Sequence, residues 1–273
     1  DDFLLIVDDY SKIVQQRETL LKLPKKGASI PLYVIVGDLH GHFEDLVEIL
    51  NDNGPPTKTK PYIFTGNIIN YGPKSIYCIT LIMLWTLAEP DSVYFLRGNH
   101  EHASYSLKFG FVHEICSVYT PSNENQAILH QLFVSLHELF QHLPLCIKLY
   151  ETCLICHSGV WRDERVDIDS LKAINRANEV NIGDQFREIG IDVDLMAMSE
   201  AGRNHCIVQD ILWSDLYDSA SATIGTSPIV SFNEARGISI LYDKQHVKNV
   251  LENNKLDTLI ISGAPLENGY EGN

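Results

Sequence analysis

No apolar run in the 273-residue sequence is long enough to cross a bilayer, because its longest mainly apolar stretch, Ile76 to Leu87, contains Tyr77 and Thr80. Cations are scarce. With 21 Lys and Arg against 36 Asp and Glu, the net charge of −15 argues against nucleic-acid backbones and anionic membranes as partners. No signal peptide is visible. The chain opens on Asp1-Asp2 without Met, so it is expected to be a piece of a longer one, with any targeting segment outside it. The 6 cysteines form no disulfide framework. Cys153-Leu-Ile-Cys156 matches CxxC, but it lies in the apolar run Thr152 to Cys156, and residues i and i+3 of a strand face opposite sides. All six read as reduced thiols, which fits a cytoplasmic protein.

What is present is ordinary for one large globular domain: 45% hydrophobic and 21% charged residues. Leu4 to Leu23 carries apolar residues at helical spacing and predicts one or two amphipathic helices that stop at Pro24. Helices are predicted over Phe43 to Leu50, Ser75 to Leu87, Asn125 to Leu143, Asp169 to Ala177 and Asp243 to Asn253. Strands are predicted over Cys146 to Leu149, Thr152 to Cys156 and Asp257 to Ile261. His130, His137 and His142 fall in or beside the longest helix and read as surface or core histidines, since helical spacing alone makes no ligand set. Residues 178–205, acidic with weak periodicity, read as a surface insertion or a passive long loop.

Three stretches stand out: Val36-Gly-Asp-Leu-His-Gly41, Phe64-Thr-Gly-Asn-Ile-Ile-Asn-Tyr-Gly72 and Leu96-Arg-Gly-Asn-His-Glu101. Each follows an apolar, β-rich run and turns on glycine. Asp38 to Asn67 is 29 residues and Asn67 to Asn99 is 32, room for a helix and a return strand in each interval. Strands that end in such turns gather Asp, His and Asn at the carboxyl edge of a sheet, where α/β folds place ligands. The three stretches resemble the composite signature of the metal-dependent serine/threonine phosphoprotein phosphatases: GDxHG, GDxxDRG and GNHE. The wording Asn53-Gly-Pro-Pro and Pro61-Tyr-Ile-Phe64 is closest to the type 5 branch, although its tetratricopeptide repeat is not seen here. His157-Ser-Gly159, Asp210-Ile-Leu-Trp-Ser-Asp215 and Asn233-Glu-Ala-Arg-Gly237 resemble further blocks of the family. The resemblance spans nearly the whole chain and implies an α/β calcineurin-like metallophosphoesterase fold, a β-sandwich flanked by helices. It also implies a chain that is incomplete at its C-terminus, because the family's next strand and an active-site Tyr would follow Asn273.

The resemblance implies a two-metal phosphatase centre in which metal-activated hydroxide attacks phosphorus. Carried over residue by residue, Asp38 and His40 remain for one metal, and Asn99 and His157 for the other. The bridging Asp has become Asn67, and one ligating His has become Gly263. The arginine that forks onto phosphate has become Tyr71, and the Asp that orients the general acid, His100, has become Asn70. Arg236 falls on the second phosphate-binding arginine, and Arg97 is a second candidate anion ligand; both can equally form ordinary salt bridges. The intact turns can persist as a residual metal or anion site, or for structure alone. Loss at four functional positions leads to the expectation of at most one weakly held Mn, Fe or Zn ion. The expected role is binding to other proteins, some of them phosphoproteins, as a pseudophosphatase scaffold, assembly component or regulatory module. The alternative is a weak metal-dependent phosphatase.

Overall fold

The three glycine turns leave one sheet edge because their strands run parallel and in step. In the computed structural model, which describes residues 2–24, 30–119, 125–177, 194–217 and 230–263, β2 (Val34–Val36), β3 (Tyr62–Phe64) and β4 (Val93–Phe95) form a parallel sheet in that order. Val36 pairs with Phe64, and Phe64 with Phe95, so all three chains emerge level at the carboxyl end. Helices α2 (Phe43–Asn53) and α3 (Ser75–Ala88) make the crossovers. The strand residues of β3 and β4 are buried throughout, as a parallel sheet covered on both faces requires.

A second, four-stranded sheet has the order β1 (Leu20–Leu23), β5 (Cys146–Leu149), β6 (Cys153–Cys156) and β10 (Thr258–Ile260). Ile63, Tyr94 and Leu96, on or next to the first sheet, and Ile147, Leu149 and Ile155 from the second form one buried cluster, the filling of a two-sheet sandwich. Helices cover both outer faces. On one side α1 (Asp2–Gln15), α3, α5 (Phe111–Val118) and α6 (Asn125–Gln141) join one core; α6 inserts Leu132, Leu136, Leu139 and Phe140, an i, i+4, i+7, i+8 stripe. On the other side α7 (Glu200–Trp213) and α8 (Lys244–Asn253) pack with Trp161, Leu171 and Tyr242. The short α4 (Ala103–Lys108) follows the third turn. A small third sheet, with β9 (Ile240–Tyr242) between β7 (Asp215–Leu216) and β8 (Val230–Phe232), sits beside the site.

One expectation about the N-terminus is corrected. Helix α1 ends at Gln15, and Leu20 to Leu23 is a strand, parallel to β5 from Leu20↔Cys146 to Leu23↔Leu149. Its apolar residues fit helical spacing as well as strand alternation, and the pairing with β5 decides between them. The predicted helix after Asp167 is a 3-10 turn, Ile168–Ala173, capped by the Asp167 carboxylate. Residues 178–193 and 218–229 lie outside the described residues, and with them most of the expected insertion; Glu200 to His205 form the opening turns of α7. His137 is buried in the α6 core, and burial pushes its imidazole down to about 4. All six cysteines are free thiols. Among the described residues no helix is long and apolar enough to cross a membrane.

Candidate active site

The second and third turns cross at two glycines, and nothing larger fits. A Cβ on Gly66 would lie 2.4 Å from the Gly98 nitrogen, and one on Gly98 would lie 2.4 Å from the Asn67 nitrogen. The crossing is tied together from below by Glu101. Its buried carboxylate accepts hydrogen bonds from the backbone N–H of Asn67 (2.7 Å), Ile68 (2.9 Å) and Gly98 (2.9 Å). Burial raises the Glu101 carboxyl above the usual range, and the three N–H groups oppose that rise. The first turn joins through Leu39 and His40, whose N–H groups both reach the Asn67 carbonyl.

On this frame Asp38, His40, Asn67, Asn70, Asn99, His100 and His157 converge. Asn67 is held at three points. Its backbone N–H is on Glu101, and its Oδ1 accepts from the His100 N–H at 2.9 Å. That second bond fixes which way the amide faces, so Nδ2 donates to Asp38 Oδ2 at 2.9 Å. The edge of Asp38 that a shared cation would need is taken by an N–H. Burial raises the Asp38 carboxyl, but His40, His157 and the Asn67 amide outweigh it and hold the group at about 2.

The two candidate ligand histidines are presented alike. His40 Nδ1 lies 3.0 Å from the Ile69 carbonyl, and His157 Nδ1 lies 3.0 Å from the Thr65 carbonyl, so each Nδ1 donates and each Nε2 is left as a potential ligand. His40 Nε2 faces Asp38 Oδ2 at 3.6 Å, and His157 Nε2 faces Asn99 Oδ1 at 3.3 Å. These are the residue pairs that the resemblance assigns to its two half-sites. Burial lowers the His40 imidazole, but contact with Asp38 outweighs it and the net shift is upward; His157, wholly buried, is shifted down chiefly by desolvation. The Asn67 amide stands on Asp38 Oδ2 at the position where the resemblance implies a bridging carboxylate. Among the described residues no three His, Cys, Asp or Glu side chains gather closely enough to hold an ion. The donor set does not fit a binuclear centre.

His100 is oriented by Asn70 in the sense opposite to a proton donor. Asn70 Oδ1 accepts from the Phe111 N–H at 3.3 Å, which turns Nδ2 onto His100 Nδ1 at 3.0 Å. An amide N–H pointed at Nδ1 makes that nitrogen an acceptor, so the proton of the neutral ring sits on Nε2. Burial, then the neighbouring His40 and His157, push His100 down to about 3.

Tyr71 stands at the mouth, 61% exposed, with its ring against His40, His100 and Phe109 at centroid distances of 4.9, 5.2 and 5.2 Å. Arg236 does reach the site, but it is clamped: Nε and Nη2 lie 2.5 and 2.7 Å from the two oxygens of Asp215, which raises its already high pKa. Arg97 corrects an expectation. It is fully buried, with Nη2 donating to the Glu101 carbonyl at 3.1 Å, so it has no access to an anion in the cleft. Glu101, Asp215 and the rings of Tyr105, Phe109 and Trp213 are parts of the site that sequence reasoning passed over. Glu101 and Asp215 close the quoted blocks, but their partners are backbone N–H groups and a residue 21 positions away.

Gly263 lies where a side chain would meet His157, its hypothetical Cβ 3.6 Å from Nε2 and 3.2 Å from Ser158 Oγ. Its φ of +85° is one that side chains seldom adopt. Ser158, which stands where the family block has glycine, holds its hydroxyl there by donating to the Leu212 carbonyl at 2.9 Å. Gly263→His is therefore expected to lower stability by about 1–2 kcal/mol and to leave metal uptake unchanged. Thermal denaturation with and without Mn²⁺ checks both halves, and a metal-dependent rise in Tm would show that the position still accepts a ligand.

Comparison with known proteins identifies the family and the fold. Residues 32–263 match the family model for calcineurin-like phosphoesterases. Serine/threonine-protein phosphatase rdgC of Drosophila melanogaster is 29% identical over 267 residues, covering 98% of this chain and 37% of that protein. Serine/threonine-protein phosphatase 5 of Homo sapiens is 30% identical over 269 residues, covering 96% of this chain and 45% of that protein. The chain thus spans less than half the length of these relatives. A solved serine/threonine phosphatase from Saccharomyces cerevisiae, described as similar to human PP5, superposes with a TM-score of 0.71 at 20% identity, covering 95% of this chain and 69% of that one; at such identity the likeness is one of fold. The chain belongs to the calcineurin-like phosphoesterase family, and its relatives are serine/threonine phosphatases of the type 5 and rdgC kind.

Proposed function

We propose that this chain keeps the phosphatase fold but not phosphatase turnover, and that it works in the cytoplasm by binding other proteins, as a scaffold, an assembly component or a competitor for phosphatase partners. The observation that carries this reading is the Asn67 amide, whose N–H is turned onto Asp38 at 2.9 Å. Two divalent cations about 3.5 Å apart repel by roughly 19 kcal/mol at an effective dielectric of about 20. A bridging carboxylate offsets much of that repulsion; a neutral amide offsets little, and its nitrogen does not ligate a cation. Tyr71 supplies no charge-assisted fork for a phosphoryl group. The surplus of acid keeps nucleic acid and anionic membrane off the list of partners.

One observation favours a second reading, weak hydrolysis with a single ion: His157 Nε2 and Asn99 Oδ1 stand 3.3 Å apart, as two ligands of one cation can. The same experiment separates the two. Purified protein is incubated with Mn²⁺ or Zn²⁺, freed of unbound ion, and assayed for metal per chain and for phosphopeptide hydrolysis. The expected result is well under one ion per chain and no metal-dependent hydrolysis. Two ions per chain with a kcat near 1 per second, the low end of the usual enzyme range of about 1–1000, would overturn the first reading. Slow turnover with one ion, abolished by His100→Ala, would establish the second.

A further inference from the structure

We propose that the mouth of this site binds an arginine side chain presented by a partner protein, stacked on the Tyr71 ring and reaching the Asp38 carboxylate. The inference deepens the binding reading above and rests on its premise that no pair of cations fills the site. It begins with an exchange of ligand chemistry. Where the family resemblance puts a guanidinium, this chain puts an aromatic ring. That ring is held in a conformation a bulky residue seldom takes: Tyr71 has φ +62°, fixed by its N–H on the Phe109 carbonyl at 3.0 Å. The ring packs on His40, His100 and Phe109, and 61% of the residue is left to solvent. Tyr105 extends the rings inward, 5.3 Å from His100 and 4.9 Å from Trp213.

The charges have changed as well. Arg236 is already engaged, two nitrogens on the two oxygens of Asp215, and the pair is close to neutral as seen by a ligand. Asp38 keeps its charge and part of its surface; among the described residues the Asn67 amide donates to Oδ2 at 2.9 Å, His40 Nε2 stands 3.6 Å from that oxygen, and His157 Nδ1 stands 3.9 Å from Oδ1. A phosphoryl dianion entering here would face the Asp38 carboxylate and an aromatic ring. A guanidinium would find a ring face, an aromatic wall and a carboxylate able to accept its planar fork. The chain's net charge of −15 draws a basic partner segment in the same direction. An ammonium group could reach Asp38, but it lacks the flat surface that stacks on Tyr71, so arginine is the side chain that uses both features.

The test titrates the purified protein, by amide NMR or calorimetry, with three capped pentapeptides that differ at the central residue: arginine, citrulline (the same shape without the charge) and phosphoserine. The arginine peptide is expected to bind at least about ten-fold more tightly than the citrulline peptide, with no saturable binding of the phosphoserine peptide. Tyr71→Leu, a change at an exposed position, is expected to weaken the arginine peptide by about two- to thirty-fold. Asp38→Asn is expected to remove the preference over citrulline. Equal binding of arginine and citrulline, arginine binding indifferent to Tyr71→Leu, or tighter binding of phosphoserine would each overturn the proposal. Metal content and hydrolysis are measured on the same preparation. A metal-loaded, hydrolysing protein overturns the reading on which the inference rests, whereas a metal-free protein that ignores arginine overturns the inference alone.

Discussion

Glu101→Ala is expected to cost the fold about 4 kcal/mol, a large fraction of the roughly 5–15 kcal/mol that stabilises a typical domain. The carboxylate accepts from three buried backbone donors: Asn67 and Gly98 on one oxygen and Ile68 on the other. Each donor left without a partner costs about 1–3 kcal/mol, and water entering the vacated space returns only part of that. Arg97 adds to the loss, because Glu101 is the charge that offsets its burial. Glu101→Gln should fall between, since an amide keeps the volume but accepts at one end only. Urea denaturation of the three proteins gives the comparison; a loss below 1 kcal/mol for alanine would show that the turns are held by something else.

On the proposed reading, a site can lose its catalytic charges and keep its motif words. The GNHE turn is a joint between two loops, and Glu101 closes it through backbone N–H groups alone. The changes at Asn67 and Asn70 respect the same joint. Asn67 Oδ1 still accepts from the His100 N–H, and Asn70 Oδ1 still accepts from the Phe111 N–H. Compared with the carboxylates that the resemblance implies at these positions, each amide retains an acceptor that the loops use and turns the other half of the side chain from acceptor to donor. Against the resemblance, the difference is negative charge in the cleft and not the backbone frame.

The same contrast marks what could be read from the residues. The three turns were legible because strand length, glycine and spacing are local properties, and parallel register then brings them to one edge. The direction in which the Asn67 amide points was not, since it depends on where the His100 N–H arrives, 33 residues later. Arg97 and Arg236 look alike on paper: each precedes a glycine in a block the family shares. One follows a strand into the interior and is sealed under Glu101; the other meets Asp215, which no spacing rule announces. At Leu20 to Leu23 the apolar spacing suits a helix, and pairing with β5, more than 120 residues away, makes it a strand.

Restoring one charge should show how far these exchanges control His100. In Asn70→Asp, the group opposite His100 Nδ1 becomes a carboxylate at the position where Nδ2 now donates across 3.0 Å. The present contact suits only a bare Nδ1; the new one favours an Nδ1–H and a positive ring. An adjacent opposite charge and a hydrogen bond to the charged form typically move a pKa by 1–3 units, so His100 is expected to rise from about 3 by about two units, roughly 2.7 kcal/mol. Stability should follow with a definite sign. Burial holds His100 at about 3, below its ordinary 6.5, so the native state binds fewer protons than the unfolded chain and is expected to lose stability as pH falls from about 6.5 towards 3. In the variant that loss should be compressed into a narrower interval near 6. Histidine ¹H–¹⁵N spectra against pH report the shift, and Tm between pH 7 and 4 reports the linkage. An unmoved His100 would mean that burial, not Asn70, sets its protonation. Hydrolysis is not expected to return in this variant, because the Asn67 N–H still lies on Asp38; adding Asn67→Asp removes that donor and supplies the second carboxylate. If metal uptake rises only when both changes are present, the two amides act on separate requirements, one on holding the ions and the other on delivering the proton.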